Sequence, residues 1–249
     1  MTLRDIPAFL WLALILVVIP WSGIVSARRK RAGLPRSARA KRIEALSRPS
    51  LYLASLLGLA QLLLVTVLLD GIDRWPTVRK SLLYPREGWL WIAGCVAAHQ
   101  IVSFVSMLVR RMRGIPLDVG TARLLPRDRG EYMRFVPLAL MAGIGEEFIY
   151  RGFAPDHLVR WGLPLPVAVG FAALAFGLAH GYKSLAGMMR AALLGLVVAV
   201  PVIATGTLLP SMIAHAISDL LAGANTLRLA RKLGVTIPEP VPATVAKLS

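Results

Sequence analysis

Gly145-Glu146-Glu147-Phe148-Ile149-Tyr150-Arg151 sets two adjacent carboxylates and a guanidinium inside residues 135–154, a stretch that otherwise reads as a membrane helix. Each such charge near a bilayer centre costs about 2.5–3.5 kcal/mol on the insertion scale, so the three together nominally cost about 8–10 kcal/mol. A chain carries that cost in one helix only where the charges meet partners inside a bundle. The stretch therefore predicts a polar site within a helical membrane bundle. Two later apolar segments hold the partners, Phe176-Gly177-Leu178-Ala179-His180 and His215-Ala216-Ile217-Ser218-Asp219.

The composition agrees. Of 249 residues, 56% are hydrophobic, and a mean hydropathy of +0.64 is too high for an ordinary soluble domain. A net charge of +16 raises nucleic acid as a partner. The Lys and Arg residues, however, lie in short runs between apolar segments and are not interleaved with exposed aromatics. That is the positive-inside pattern of a membrane protein, so lipid is the expected partner and no nucleic acid is. Cys95, the single cysteine, leaves no disulfide framework and no Cys-x-x-Cys motif. With His99 one helical turn beyond it, it reads as packing within an apolar helix.

Seven hydrophobic segments, 8–25, 50–69, 89–109, 135–154, 166–180, 188–208 and 210–227, predict an all-α fold. The expected architecture is a polytopic bundle of about seven transmembrane helices. Arg28-Arg29-Lys30-Arg31 directly follows the first segment, which argues for an uncleaved anchor and not a signal peptide. The basic loops 27–49 and 110–134 are placed in the cytoplasm. That gives a multi-pass protein of the cell membrane with its amino terminus outside and its carboxyl terminus cytoplasmic. Trp11, Trp75, Trp89, Trp91 and Trp161 then fall near the outer boundary and Tyr52, Tyr132 and Tyr182 near the inner one. Residues 1–134 read as amino-terminal helices and basic loops, and 135–227 as the functional core. Residues 228–249 read as a disordered cytoplasmic tail, because Pro238, Pro240 and Pro242 prevent a helix.

Within the core, Glu146 and Glu147 point about 100° apart on a helix and serve different purposes. Glu147 precedes Arg151 by four residues, a spacing that suits an intrahelical ion pair. Glu146 is then left free as a general base toward water. The alternative is that both glutamates are structural. Phe176 and His180 share a helix face, as do His215 and Asp219, each pair four residues apart. Together the three segments supply the polar groups that water activation and oxyanion stabilisation need.

These motifs resemble those of the CAAX prenyl protease and bacteriocin-processing (CPBP, or Abi) intramembrane proteases. Glu146 to Arg151 matches the first motif, Phe176 to His180 the second and His215 to Asp219 the third. Thr205-Gly206-Thr207-Leu208-Leu209-Pro210 is similar to the family's lead-in to the third. The resemblance spans about 135–227. It implies a glutamate-dependent intramembrane endopeptidase in which Glu146 and His180 activate water. His215 and Asp219 would stabilise the oxyanion or orient the site, with Glu147, Arg151 and Phe176 in support. The chain departs from the prenyl-protease pattern at Asp219, where Asn is common. An ionised Asp donates no hydrogen bond to an oxyanion, so it must be protonated, orient His215 or bind a cation. A metal-free mechanism is favoured, with zinc held by Glu146, His180, His215 and Asp219 as the alternative. There is no His-Glu-x-x-His, Gly-x-Ser-x-Gly or Gly-x-Gly-Asp sequence of other intramembrane protease classes. The competing function is a catalytically silent membrane adaptor or bacteriocin-immunity protein, and a transporter comes third. The substrate is not readable from the chain.

Overall fold

In a bilayer core no water bonds to exposed amides, so an apolar chain satisfies its backbone groups locally, in helices. The computed structural model describes residues 5–32, 42–43, 45–72 and 83–238, and every regular element among them is helical. In chain order these are α1 (6–31), α2 (Arg48–Ile72), α3 (Gly88–Met112), the short α4 (Val119–Leu124), α5 (129–160), α6 (Leu165–Ala179), α7 (Leu185–Thr205) and α8 (Leu209–Lys232). Each hydrophobic segment of the sequence corresponds to one helix. Ile6–Arg29, Arg48–Asp70, Gly88–Met112 and Leu185–Thr205 are long and apolar enough to cross a membrane. Among the described residues at least four helices are thus long and apolar enough to cross a membrane. α6 is apolar but short, about 22 Å against a hydrocarbon core of about 30 Å. α5 and α8 are long, and they carry the charges that lower their apolarity.

The outer surface fits this setting. Leu53, Leu57, Leu64 and Leu68 of α2 and Ile101, Val105 and Val109 of α3 are all exposed, where a helix in water would carry polar groups.

Two helices widen locally into π-turns, each just ahead of a proline. In α1 the widened segment is Leu14–Val18, with Pro20 following. In α5 it is Phe148–Phe153, with Pro155 following. Proline has no N–H and its ring collides with the carbonyl four residues back, and a π-turn absorbs both problems by shifting the register. The α5 segment begins directly after Glu147 and contains Arg151.

α5 starts at the Asp128 cap, whose carboxylate accepts from the Glu131 amide. It then packs closely on α8, and Gly143 makes this possible. A Cβ there would lie 2.7 Å from the Ala216 backbone nitrogen and 2.8 Å from the Met212 carbonyl oxygen. α7 approaches α5 through Gly195, where an added Cβ would meet Arg151 Nη2 at 2.8 Å.

Polar ties gather the loops at one end of the bundle. Arg48 pairs with Glu131 at 2.9 Å and Arg110 with Asp118 at 2.9 Å. The Ser184 amide donates to Asp118, and the Leu117 amide to the Thr236 carbonyl. Tyr52, expected as an interfacial anchor, is instead 2% exposed and packs edge-on against Phe135. The Trp11 indole donates to Thr66 at 2.9 Å and ties α1 to α2. Trp75, residues 33–41 and 44 of the first basic loop and residues 239–249 of the expected disordered tail lie outside the described residues.

Candidate active site

The two glutamates have different surroundings. Glu147 is fully buried, with Oε1 3.1 Å from Arg151 Nη1 and 2.7 Å from His215 Nδ1. Glu146 faces a cavity, its Oε2 3.7 Å from His215 Nε2. The intrahelical spacing predicts the contact to Arg151. The hydrogen bond to His215, across 68 positions of sequence, is new.

That bond decides what His215 presents. A carboxylate at Nδ1 takes a donated N–H, which turns Nε2 toward the cavity. There Nε2 lies 3.7 Å from Glu146 Oε2 and 3.7 Å from Asp219 Oδ2, beyond direct hydrogen bonding to either. His215 therefore sits among three carboxylates, one bonded to it and two beside it.

His180 follows the last residue of α6, and its Nδ1 donates to the Phe176 carbonyl at 2.8 Å. This again leaves Nε2 as the free ring nitrogen. Phe176 holds both imidazoles, with ring centroids 4.7 Å from His180 and 6.3 Å from His215. Arg151 lies over the Phe176 ring at 4.3 Å, and its Nε donates to the Gly195 carbonyl at 3.3 Å. One guanidinium thus joins α5, α6 and α7.

Glu146, His180, His215 and Asp219 all line one cavity of about 820 Å³. Its far wall extends to Arg110, Asp118 and Thr121, at the end where the loops gather. The zinc alternative needs the four site residues as one donor set. Among the described residues no three His, Cys, Asp or Glu side chains are gathered so as to hold a metal ion.

The sequence reading missed the contribution of α3. Cys95 does pack, against Val198 and Ala214, but His99 lines the cavity together with Gln100, Ser103 and Ser106. The signal was present, because polar residues at 99, 103, 106 and 110 form one face of α3 opposite Ile101, Val105 and Val109. Three of the chain's four histidines thus line the same cavity.

Comparison with known proteins bears on the same segment. A family model described as Type II CAAX prenyl endopeptidase Rce1-like matches residues 129–221. No curated protein and no solved structure matches the chain. The matched residues run from the start of α5 into α8 and contain all seven residues singled out by the three motifs, while α1 to α4 lie outside them. The likeness to the Rce1-like prenyl endopeptidases thus covers residues 129–221, the part of the chain that holds the candidate site.

Proposed function

We propose that the chain is an intramembrane endopeptidase of the CAAX-protease type, multi-pass, with its amino terminus outside and its carboxyl terminus in the cytoplasm. The carrying observation is that Glu146 on α5, His180 just after α6, and His215 and Asp219 on α8, all within the matched segment, line a single cavity.

A water held by Glu146 and His180 Nε2 loses a proton to the Glu146 carboxylate as its oxygen bonds to the scissile carbonyl carbon. The carbonyl electron pair moves onto its oxygen. His215, protonated at Nε2, donates to that oxyanion, while Glu147 at Nδ1 and Asp219 beside Nε2 favour the positively charged ring. Collapse of the tetrahedral species breaks the C–N bond. Glu146 returns its proton to the leaving nitrogen, and a carboxylate and an amine result. Asp219 serves here by supporting His215 and not by donating to the oxyanion. Arg151 and Phe176 hold Glu147 and the two imidazoles in place.

The description of the matched family makes a prenylated peptide the first probe. It is an internally quenched peptide with a farnesylated cysteine followed by three aliphatic residues and a free carboxyl group. Purified wild type should cleave it on the carboxyl side of that cysteine, and Glu146→Gln should not.

A further inference from the structure

The end of the cavity where the loops gather is short of negative charge. Arg110, Lys183 and Arg190 line it beside the carboxylate of Asp118. Asp118 is already occupied, its Oδ2 by Arg110 at 2.9 Å and its Oδ1 by the Ser184 amide at 3.1 Å. Among the described residues, the half-buried Lys183 and Arg190 have no ion pair and no side-chain hydrogen bond. Burial and the Arg190 charge beside it push the Lys183 ammonium down to about 8, while Asp219, Glu146 and Asp118 act on it from beyond ion-pair distance. Two like charges facing one cavity repel each other until an anion comes between them.

The place of Lys183 relative to the site is fixed. It lies three residues beyond His180, in a turn closed by its amide on the His180 carbonyl at 2.9 Å. α4 presses on that turn through Gly120, where an added Cβ would lie 2.7 Å from the Tyr182 carbonyl oxygen. The Tyr182 ring is 5.6 Å from the His180 ring and 5.4 Å from Lys183 Nζ, so the ammonium is at most about 11 Å from that imidazole. Three residues of extended peptide span about 10 Å. A chain held for cleavage beside His180 thus reaches Lys183 with its third residue beyond the scissile bond.

We propose that Lys183 and Arg190 form an anion subsite that holds the free carboxyl terminus of the substrate. Lys183 donates an ammonium N–H to the terminal carboxylate, and Arg190 supplies a second positive charge to the same group. This rests on the proteolytic reading above and adds a selection to it, for the end of a chain over an internal stretch. Neither residue belongs to the three motifs. A lipid phosphate offers the same chemistry, and the experiment separates the two sources.

The test uses the full-length protein in detergent and the farnesylated probe in two forms, with a free carboxyl group and with a terminal amide. Steady-state cleavage gives KM and kcat, and anisotropy of a labelled probe gives Kd in the Glu146→Gln background. Wild type should favour the acid over the amide by at least about tenfold in KM and Kd, the loss expected for one charge-assisted hydrogen bond. In Lys183→Gln and in Arg190→Gln that preference should fall to within about threefold, and Lys183→Arg, which keeps the charge, should retain most of it. No acid preference in wild type would overturn the proposal, as would an undiminished preference in both Gln variants or failure of wild type to bind either form. A lipid phosphate at these cations would make acid and amide bind alike, with phosphatidylglycerol retained by wild type and lost from Lys183→Gln, and would overturn the peptide assignment. Cleavage by Glu146→Gln at the wild-type rate would instead overturn the proteolytic reading, and the ratio of acid to amide Kd would still decide the subsite. Should Lys183→Gln fail to fold, Arg190→Gln and the wild-type comparison carry the decision.

Discussion

His215 is the residue on which the site turns, because each of its nitrogens faces a different carboxylate environment. Its Nδ1 is committed to Glu147 at 2.7 Å, and its Nε2 looks at Glu146 and Asp219, each at 3.7 Å. The role of Asp219 separates two chemistries. If Asp219 only supports the ring, Asp219→Asn retains activity, because the amide keeps the shape and adds a donor toward the oxyanion. If instead it ligated a cation, the variant would need added metal. The expected outcome is cleavage by both wild type and Asp219→Asn that survives chelation, checked with metal content by mass spectrometry. Loss on chelation with restoration by zinc would contradict it. The pairings within one helix were legible because intrahelical spacing is fixed, and Glu147 to Arg151 or His215 to Asp219 follows from it. The Glu147–His215 bond was not, since it depends on how α5 and α8 are rotated against each other. The polar face of α3 escaped because His99, Ser103 and Ser106 are scattered through an otherwise apolar run.

The helices were legible as apolar runs, but their departures from regularity were not. Nothing in hydropathy alone announces the π-turns before Pro20 and Pro155, although proline supplies the physical reason once they are seen. Close approach was equally hidden, because a glycine in an apolar run looks like any other small residue. Gly143 and Gly94 make the contrast measurable. An added methyl at 143 meets backbone atoms of α8 within 2.8 Å, which have no rotamer to escape into, whereas at 94 nothing lies within 4 Å. Gly143→Ala should destabilise by about 1–3 kcal/mol through overpacking and lower cleavage by shifting Glu147 away from His215. Gly94→Ala should be neutral or stabilising by up to about 1 kcal/mol from helix propensity. Thermal unfolding of the two purified variants checks the order, and equal stability would show that α5 and α8 are not held at the spacing described.

Across the bundle as a whole, loops that alternate in sequence collect at one end. The salt bridge Arg48–Glu131 ties the starts of α2 and α5 together, and Arg110–Asp118 ties the end of α3 to the start of α4. The cavity reaches from Glu146 to this end, and the polar face of α3 lines it. The proposed orientation makes this end the cytoplasmic one. With Cys95, which is buried, replaced by serine, a cysteine at Arg129 should react with an impermeant maleimide only from the cytoplasmic side. One at Gly162, in the turn between α5 and α6, should react only from outside, and the reverse pattern would invert the orientation. The function itself stands on Glu146. Turnover of the farnesylated peptide at saturating concentration by wild type and Glu146→Gln, both shown folded by size exclusion and able to bind the probe, tests it directly. Removing the base while keeping its size should lower kcat by at least about 10²-fold, with the probe still bound. A folded, probe-binding Glu146→Gln that turns over at the wild-type rate would contradict glutamate-activated hydrolysis.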